Sequence, residues 1–314
     1  MKETENIKDC DVYQYLLITI LISFLFFSCN NEKKKDSKNR DDIGYILKCP
    51  SKPKGLIVLF PKFYNEINKT DLETKIDEKY FNNGYASLII DFKSDFFLTE
   101  KDFIEIYSLI KSLLNVNNIP KDRIIIGGFS TGGTVALSYG IWVKKFNKPI
   151  IPNSIIVGDA PVDFEAFYVN KKNVIHKNFN SRAVSEAKFI IKYLDNKIGN
   201  PIDNINNYYK YSPYINSNIE NSNISYLKNY NIIFFSEPDL NWYRDNIGYE
   251  FEDLNSFQIY KFQKDLKKIS SGRINFVKTQ NKGFIENEKH PHSWTIIDPD
   301  KLFEWSSDNL ILSE

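Results

Sequence analysis

Histidine, cysteine and methionine are scarce in this chain: of 314 residues, three are His, three Cys and one Met. Three cysteines cannot supply a disulfide framework, so the fold must be held by a buried core. Neither sign of charge is in excess, since 41 Lys and Arg face 40 Asp and Glu. That balance leaves no basic stripe to neutralise a run of phosphates, which excludes nucleic acid as a partner. The apolar run from Leu16 to Phe27 falls short of the roughly 20 residues that span a bilayer. What the chain does have is apolar and aromatic bulk, 42% and 15% of its residues. That is enough for a sizeable core in a single domain.

The Leu16–Phe27 run has the length of a signal-peptide apolar region and ends in Phe27-Ser28-Cys29. A small residue followed by Cys at this place resembles the lipobox of bacterial lipoproteins. The resemblance implies a signal peptide over 1–28, acylation of Cys29 as the mature N-terminus, and attachment to a membrane surface of the cell envelope. Residues 30–42 contain no apolar side chain to bury, so 29–42 reads as a polar tether. Glu3, Glu5, Asp9 and Asp11 outnumber Lys2 and Lys8 ahead of the run, where a signal peptide prefers positive charge. The alternative is therefore an uncleaved, membrane-inserted N-terminal helix. On the cleaved reading Cys10 is removed, Cys29 is modified, and Cys49 remains as a buried strand residue.

From Gly44 onward short apolar runs alternate with amphipathic ones, the pattern of a mostly parallel sheet with helices on both faces. Strands are predicted at 45–49, 56–60, 86–90, 123–128, 154–157, 232–235 and 274–277, all but the first lying parallel in one sheet. Two helix starts carry capping-box patterns, Thr70-Asp71-Leu72-Glu73 and Thr99-Glu100-Lys101-Asp102. The first continues through Ile76 and Tyr80 to a stop at Gly84. The second places Phe103, Ile106, Ile110, Leu113 and Leu114 on one stripe and ends before Pro120.

The run Arg123-Ile124-Ile125-Ile126 leads straight into Gly128-Phe129-Ser130-Thr131-Gly132, a G-x-S-x-G pattern. A helix follows, with Val135, Ala136, Leu137, Tyr139, Ile141 and Trp142. Strand, tight turn and helix are the context a nucleophile elbow requires, with the helix aiming its positive end at the serine. On these residues the stretch from about 44 to 314 resembles an α/β hydrolase, a serine hydrolase family that needs neither cofactor nor metal. The family's chain order of Ser, then Asp or Glu, then His implies Asp239, after the late strand 232–235, as the acid. Glu237 and Asp245 are its competitors. It implies His292 as the base, with His290 beside it as the alternative, and it leaves His176 a structural role. The expected oxyanion donors are the Thr131 N–H and an N–H from Lys62 or Phe63 in the loop after the second strand.

The same resemblance divides the chain into a hydrolase domain over 43–314 with a cap insertion at about 165–230, rich in Tyr and Asn. It implies an ester-type bond in a small-molecule or acylated substrate, cleaved through an acyl-enzyme. The rival is a surface binding protein that keeps the fold without activity, because the oxyanion loop Phe60-Pro61-Lys62-Phe63 lacks the glycine many family members have there.

Overall fold

The computed structural model describes residues 31–35, 43–63, 73–91 and 96–311. The expected signal peptide, the acylated Cys29, the 36–42 part of the tether and the Thr70–Leu72 part of the first capping box lie outside the described residues. Among the described residues no helix is long and apolar enough to cross a membrane.

Among the described residues one sheet of eight strands organises the molecule. In chain order these are β1 (Asn31–Lys35), β2 (Gly44–Cys49), β3 (Leu56–Phe60), β4 (Ala86–Asp91), β5 (Ile124–Phe129), β6 (Ser154–Gly158), β7 (Asn231–Ser236) and β8 (Ile274–Lys278). Their order across the sheet is β1-β2-β4-β3-β5-β6-β7-β8, with β3 through β8 parallel and the β1 and β2 pairings antiparallel. The six strands expected to run parallel all do. β1 was not foreseen: five residues assigned to the tether pair along β2, Asn31 opposite Cys49 and Lys35 opposite Tyr45. Backbone pairing to a sheet edge needs no apolar side chain, so a polar composition did not reveal it.

Every residue of β3, β5 and β6 is buried, because helices cover both faces of a parallel sheet. The two faces separate cleanly by strand alternation. Leu56, Val58 and Phe60 join one apolar cluster with α2 (Glu100–Val116), α3 (Thr131–Lys145) and α8 (Asn255–Ile269). Ile57 and Leu59 join another with α1 (Ile76–Asn82) and α9 (Pro299–Ile311), where Tyr80, Trp294, Leu302 and Trp305 are buried. The Thr99 capping box is present, with the Thr99 N–H donating to Asp102 Oδ2 at 2.8 Å, and it starts α2 one residue later.

Between β6 and β7 the chain leaves the sheet to build the insertion: α4 (Phe164–Lys177), α5 (Ser181–Ile198) and α6 (Pro201–Tyr211), followed by two short 3-10 turns. These helices enclose a third apolar cluster of Phe164, Tyr168, Ile190, Leu194 and Tyr208. Phe96, from the segment between β4 and α2, is buried in the same cluster. The insertion is thereby packed onto the loops at the carboxyl end of the sheet. The last helix pair, α7 (Leu240–Ile247) and α8, fills the β7–β8 crossover.

Candidate active site

Ser130 stands between β5 and α3 with φ 54° and ψ −127°. A non-glycine residue is rarely held there, and such strain costs on the order of 1–3 kcal/mol. The surrounding contacts enforce it. Its N–H donates to the Gly158 carbonyl at 2.7 Å, and its carbonyl accepts from the Gly133 N–H at 2.9 Å. The flanking glycines are needed because backbone approaches backbone. A methyl group on Gly128 would overlap the Gly132 carbonyl, and one on Gly132 would overlap the Phe60 and Pro61 carbonyl oxygens. The elbow is therefore wedged against the end of β3, which brings the Phe60–Phe63 loop alongside Ser130.

His292 follows a small hairpin of β9 (Phe284–Ile285) and β10 (Glu288–Lys289). Its Nε2 lies 3.0 Å from Ser130 Oγ, and its Nδ1 lies 2.6 Å from Asp159 Oδ2. The ring packs on Phe129, centroids 5.0 Å apart, and is 40% exposed toward solvent. Asp159 is the first residue past β6 and only 4% exposed. It too has positive φ, 38°, fixed by its N–H donating to the Phe235 carbonyl at 2.7 Å and its carbonyl accepting from Asn255 Nδ2 at 2.8 Å. Its second carboxylate oxygen accepts from the Ser236 hydroxyl at 2.6 Å. Beneath this group Tyr243 is a neutral phenol: burial pushes its pKa well above the usual value, and the Asp159, Glu237 and Asp239 carboxylates add to the shift.

The structure thus brings Ser130 and His292 together as expected, and the carboxylate on His292 Nδ1 is Asp159, not the expected Asp239. Asp239 does not reach His292. It caps α7, accepting from the Trp242 N–H at 3.2 Å, and its Oδ2 is 3.4 Å from Lys289 Nζ. Glu237 is buried on Lys289 and Lys282, and Asp245 is exposed on α7. The reason is sheet order. β6 is the immediate neighbour of β5, with Phe129 opposite Gly158, whereas β7 is one strand further out, about 10 Å away at ordinary strand spacing. Asp159 also satisfies the order Ser, acid, His. An Asp directly after the apolar run 154–158 was the signal available for it. His290 is exposed with its N–H donating to the Gly283 carbonyl at 2.7 Å, and His176 is exposed in the last turn of α4.

Where the oxyanion donors were expected, Thr131 begins α3 and the Phe63 N–H donates to Thr131 Oγ1 at 2.7 Å. That hydrogen bond ties the Lys62–Phe63 turn to the elbow. Lys62 is paired with Glu73, Nζ to Oε2 at 2.9 Å. The Phe63 ring lies against Phe96, Tyr193 and Phe189, at 4.3, 5.7 and 6.2 Å between centroids. The last two belong to α5, so the insertion reaches the loop next to the serine.

No protein-family model and no curated protein matches the chain. Solved structures do. The whole chain superposes on 94% of a fungal esterase from Rhizomucor miehei (TM-score 0.57, 11% identity). It also superposes on 96% of an esterase from Pyrobaculum calidifontis (TM-score 0.57, 10% identity). The fold is that of the α/β hydrolases. Oligopeptidase B from Leishmania major also matches, over 90% of this chain but 35% of its own (TM-score 0.51, 12% identity).

Proposed function

We propose that this protein is a serine hydrolase that cleaves an ester-type bond through an acyl-enzyme. The observation that carries the reading is the continuous line from Asp159 Oδ2 through His292 to Ser130 Oγ, with steps of 2.6 and 3.0 Å. Asp159 accepts the Nδ1–H, which fixes the tautomer and leaves Nε2 free to take a proton. As Ser130 Oγ attacks the carbonyl carbon, its proton passes to His292 Nε2, and Asp159 stabilises the imidazolium that forms. The carbonyl oxygen gains negative charge at the N-terminus of α3, where the Thr131 N–H and the Lys62 N–H stabilise it, the Phe63 N–H being engaged by Thr131 Oγ1. His292 then protonates the departing alcohol oxygen. Water repeats the sequence on the acyl-enzyme, releasing the acid and restoring Ser130. The rings of Phe63, Phe189 and Tyr193 beside the elbow favour a substrate with an apolar acyl or alcohol group.

A fluorophosphonate probe tests the chemistry, because it captures only an activated serine. Wild-type protein is expected to be labelled at Ser130, with labelling abolished in Ser130→Ala and ester turnover lost in parallel. Unlabelled wild type would instead favour a non-catalytic binding protein. Attachment to the membrane of the cell envelope belongs to the same reading, supported by the apolar run that leads into Phe27-Ser28-Cys29. A lipid there would hold the β1 edge of the sheet close to the bilayer, since β1 starts at Asn31. Cys29→Ala is expected to release the protein from membranes, and mass spectrometry finding an unmodified chain from Met1 would remove the anchor.

A further inference from the structure

The end of β7 carries two consecutive residues tied to different members of the triad. Ser236 and Glu237 are both 1% exposed. The Ser236 hydroxyl donates to Asp159 Oδ1, the oxygen that His292 does not use. Glu237 Oε1 accepts from Lys289 Nζ at 2.8 Å and from the Lys282 N–H at 3.0 Å. Lys289 also donates to the Lys282 carbonyl at 2.7 Å and approaches Asp239 Oδ2 at 3.4 Å. Lys282 and Lys289 bracket the hairpin from which His292 emerges three residues later.

The hairpin turns through left-handed backbone, which suits its Asn and Gly residues but not Glu286. Asn281, Gly283, Glu286 and Asn287 all adopt positive φ, between 50° and 73°. At Gly283 a methyl group would stand 2.6 Å from the His290 carbonyl oxygen. Turn chemistry sets the shape of the hairpin, and its ties to the rest of the domain set where the hairpin sits. A carboxylate as buried as Glu237 is strongly destabilising without its cation, so the Lys289 pair stays closed while the domain is folded. We propose that Ser236 and Glu237 are positioning residues of the triad, Ser236 orienting Asp159 and Glu237, through Lys289, holding the His292 loop in register with Ser130. Both side chains act through other groups, and the inference rests on the serine-hydrolase reading.

The test measures the saturating rate and the half-saturation concentration of fluorophosphonate capture. Ser236→Ala and Lys289→Met are each expected to lower the saturating rate about 10- to 100-fold, the scale of a misplacement near 1 Å. Half-saturation should stay within about twofold. Ser236→Thr and Lys289→Arg, which keep the donor, should restore most of the rate and guard against loss of folding. In a His292→Ala background, Lys289→Met should produce no further loss, because its effect passes through His292. A downfield Nδ1–H proton resonance of His292 should weaken in both variants and return in the conservative ones.

Wild-type rates in Ser236→Ala and Lys289→Met would overturn the proposal. So would an undiminished Lys289→Met effect without His292. Absence of capture by wild type would instead defeat the hydrolase reading, and the proposal with it.

Discussion

Two carboxylates at the ends of neighbouring strands separate what binds the histidine from what only holds its loop. Asp159 makes a 2.6 Å contact to His292 Nδ1, while Asp239 spends one oxygen on the Trp242 N–H. Asp159→Asn would offer Nδ1 the wrong partner and lower capture and turnover by about 10⁴-fold, the cost of fixing the imidazole in its unproductive tautomer. Asp239→Asn keeps an N-cap oxygen on α7, so stability should fall by less than about 1 kcal/mol and activity by less than about tenfold. Rates of fluorophosphonate capture decide between them: a collapse in Asp239→Asn with near-normal Asp159→Asn would reverse the assignment. Ser130 and His292 were legible because few other residues could compete. A serine between two glycines at a strand-to-helix turn has a required context, and a chain with three histidines offers little choice. The carboxylate that meets His292 was not legible, because which strand lies beside β5 is a property of the sheet and not of the order of the chain.

At the scale of elements, the site depends on how closely α3 presses on the end of β3. Gly132 sits where the Phe60 and Pro61 carbonyls come closest, and these are backbone atoms that cannot swing aside as a flexible side chain would. Gly132→Ala should therefore displace the Phe60–Phe63 loop from the elbow and destabilise the domain by about 3 kcal/mol or more. Urea unfolding measures the stability, and capture rates measure the loop. A variant with wild-type stability and wild-type capture would show that this approach is looser than drawn. The strands that create the approach were readable residue by residue, since β3, β5 and β6 are short, continuous apolar runs of the kind only a sheet covered on both faces requires. The strand β1 and the three insertion helices were not. β1 takes its stability from backbone pairing with β2. Of the helices, α5 does carry a helical period, burying Ala183, Val184, Ala187, Ile190, Ile191, Leu194 and Ile198, but what that face packs against, the other insertion helices and Phe96, is set by the fold.

For the whole molecule, the junction between sheet and insertion contains a titratable group. Asp163, 2% exposed, caps α4 by accepting from the Ala166 N–H at 3.0 Å, and also accepts from the Asn216 N–H at 2.9 Å where the chain returns past α6. One carboxyl thus ties the way out of the sheet to the way back. Burial pushes its pKa up from the ordinary 3.8 to about 6, against the two N–H donors, which pull it down, while nearby Glu165 adds to the rise. A folded-state pKa above the unfolded one means that the native state binds the proton more tightly. Its contribution to stability is therefore complete below about pH 4 and is lost as the pH rises through about 6. A shift of this size is worth on the order of 3 kcal/mol. Asp163→Asn keeps an acceptor for the α4 cap and has no proton to exchange, while every other titrating group is unchanged. Denaturant unfolding of both proteins at pH 4 and pH 7 should show the wild type losing more stability than the variant over that interval. Equal changes in the two would mean that the N–H donors balance the cost of burial and that folding leaves the Asp163 pKa where it was.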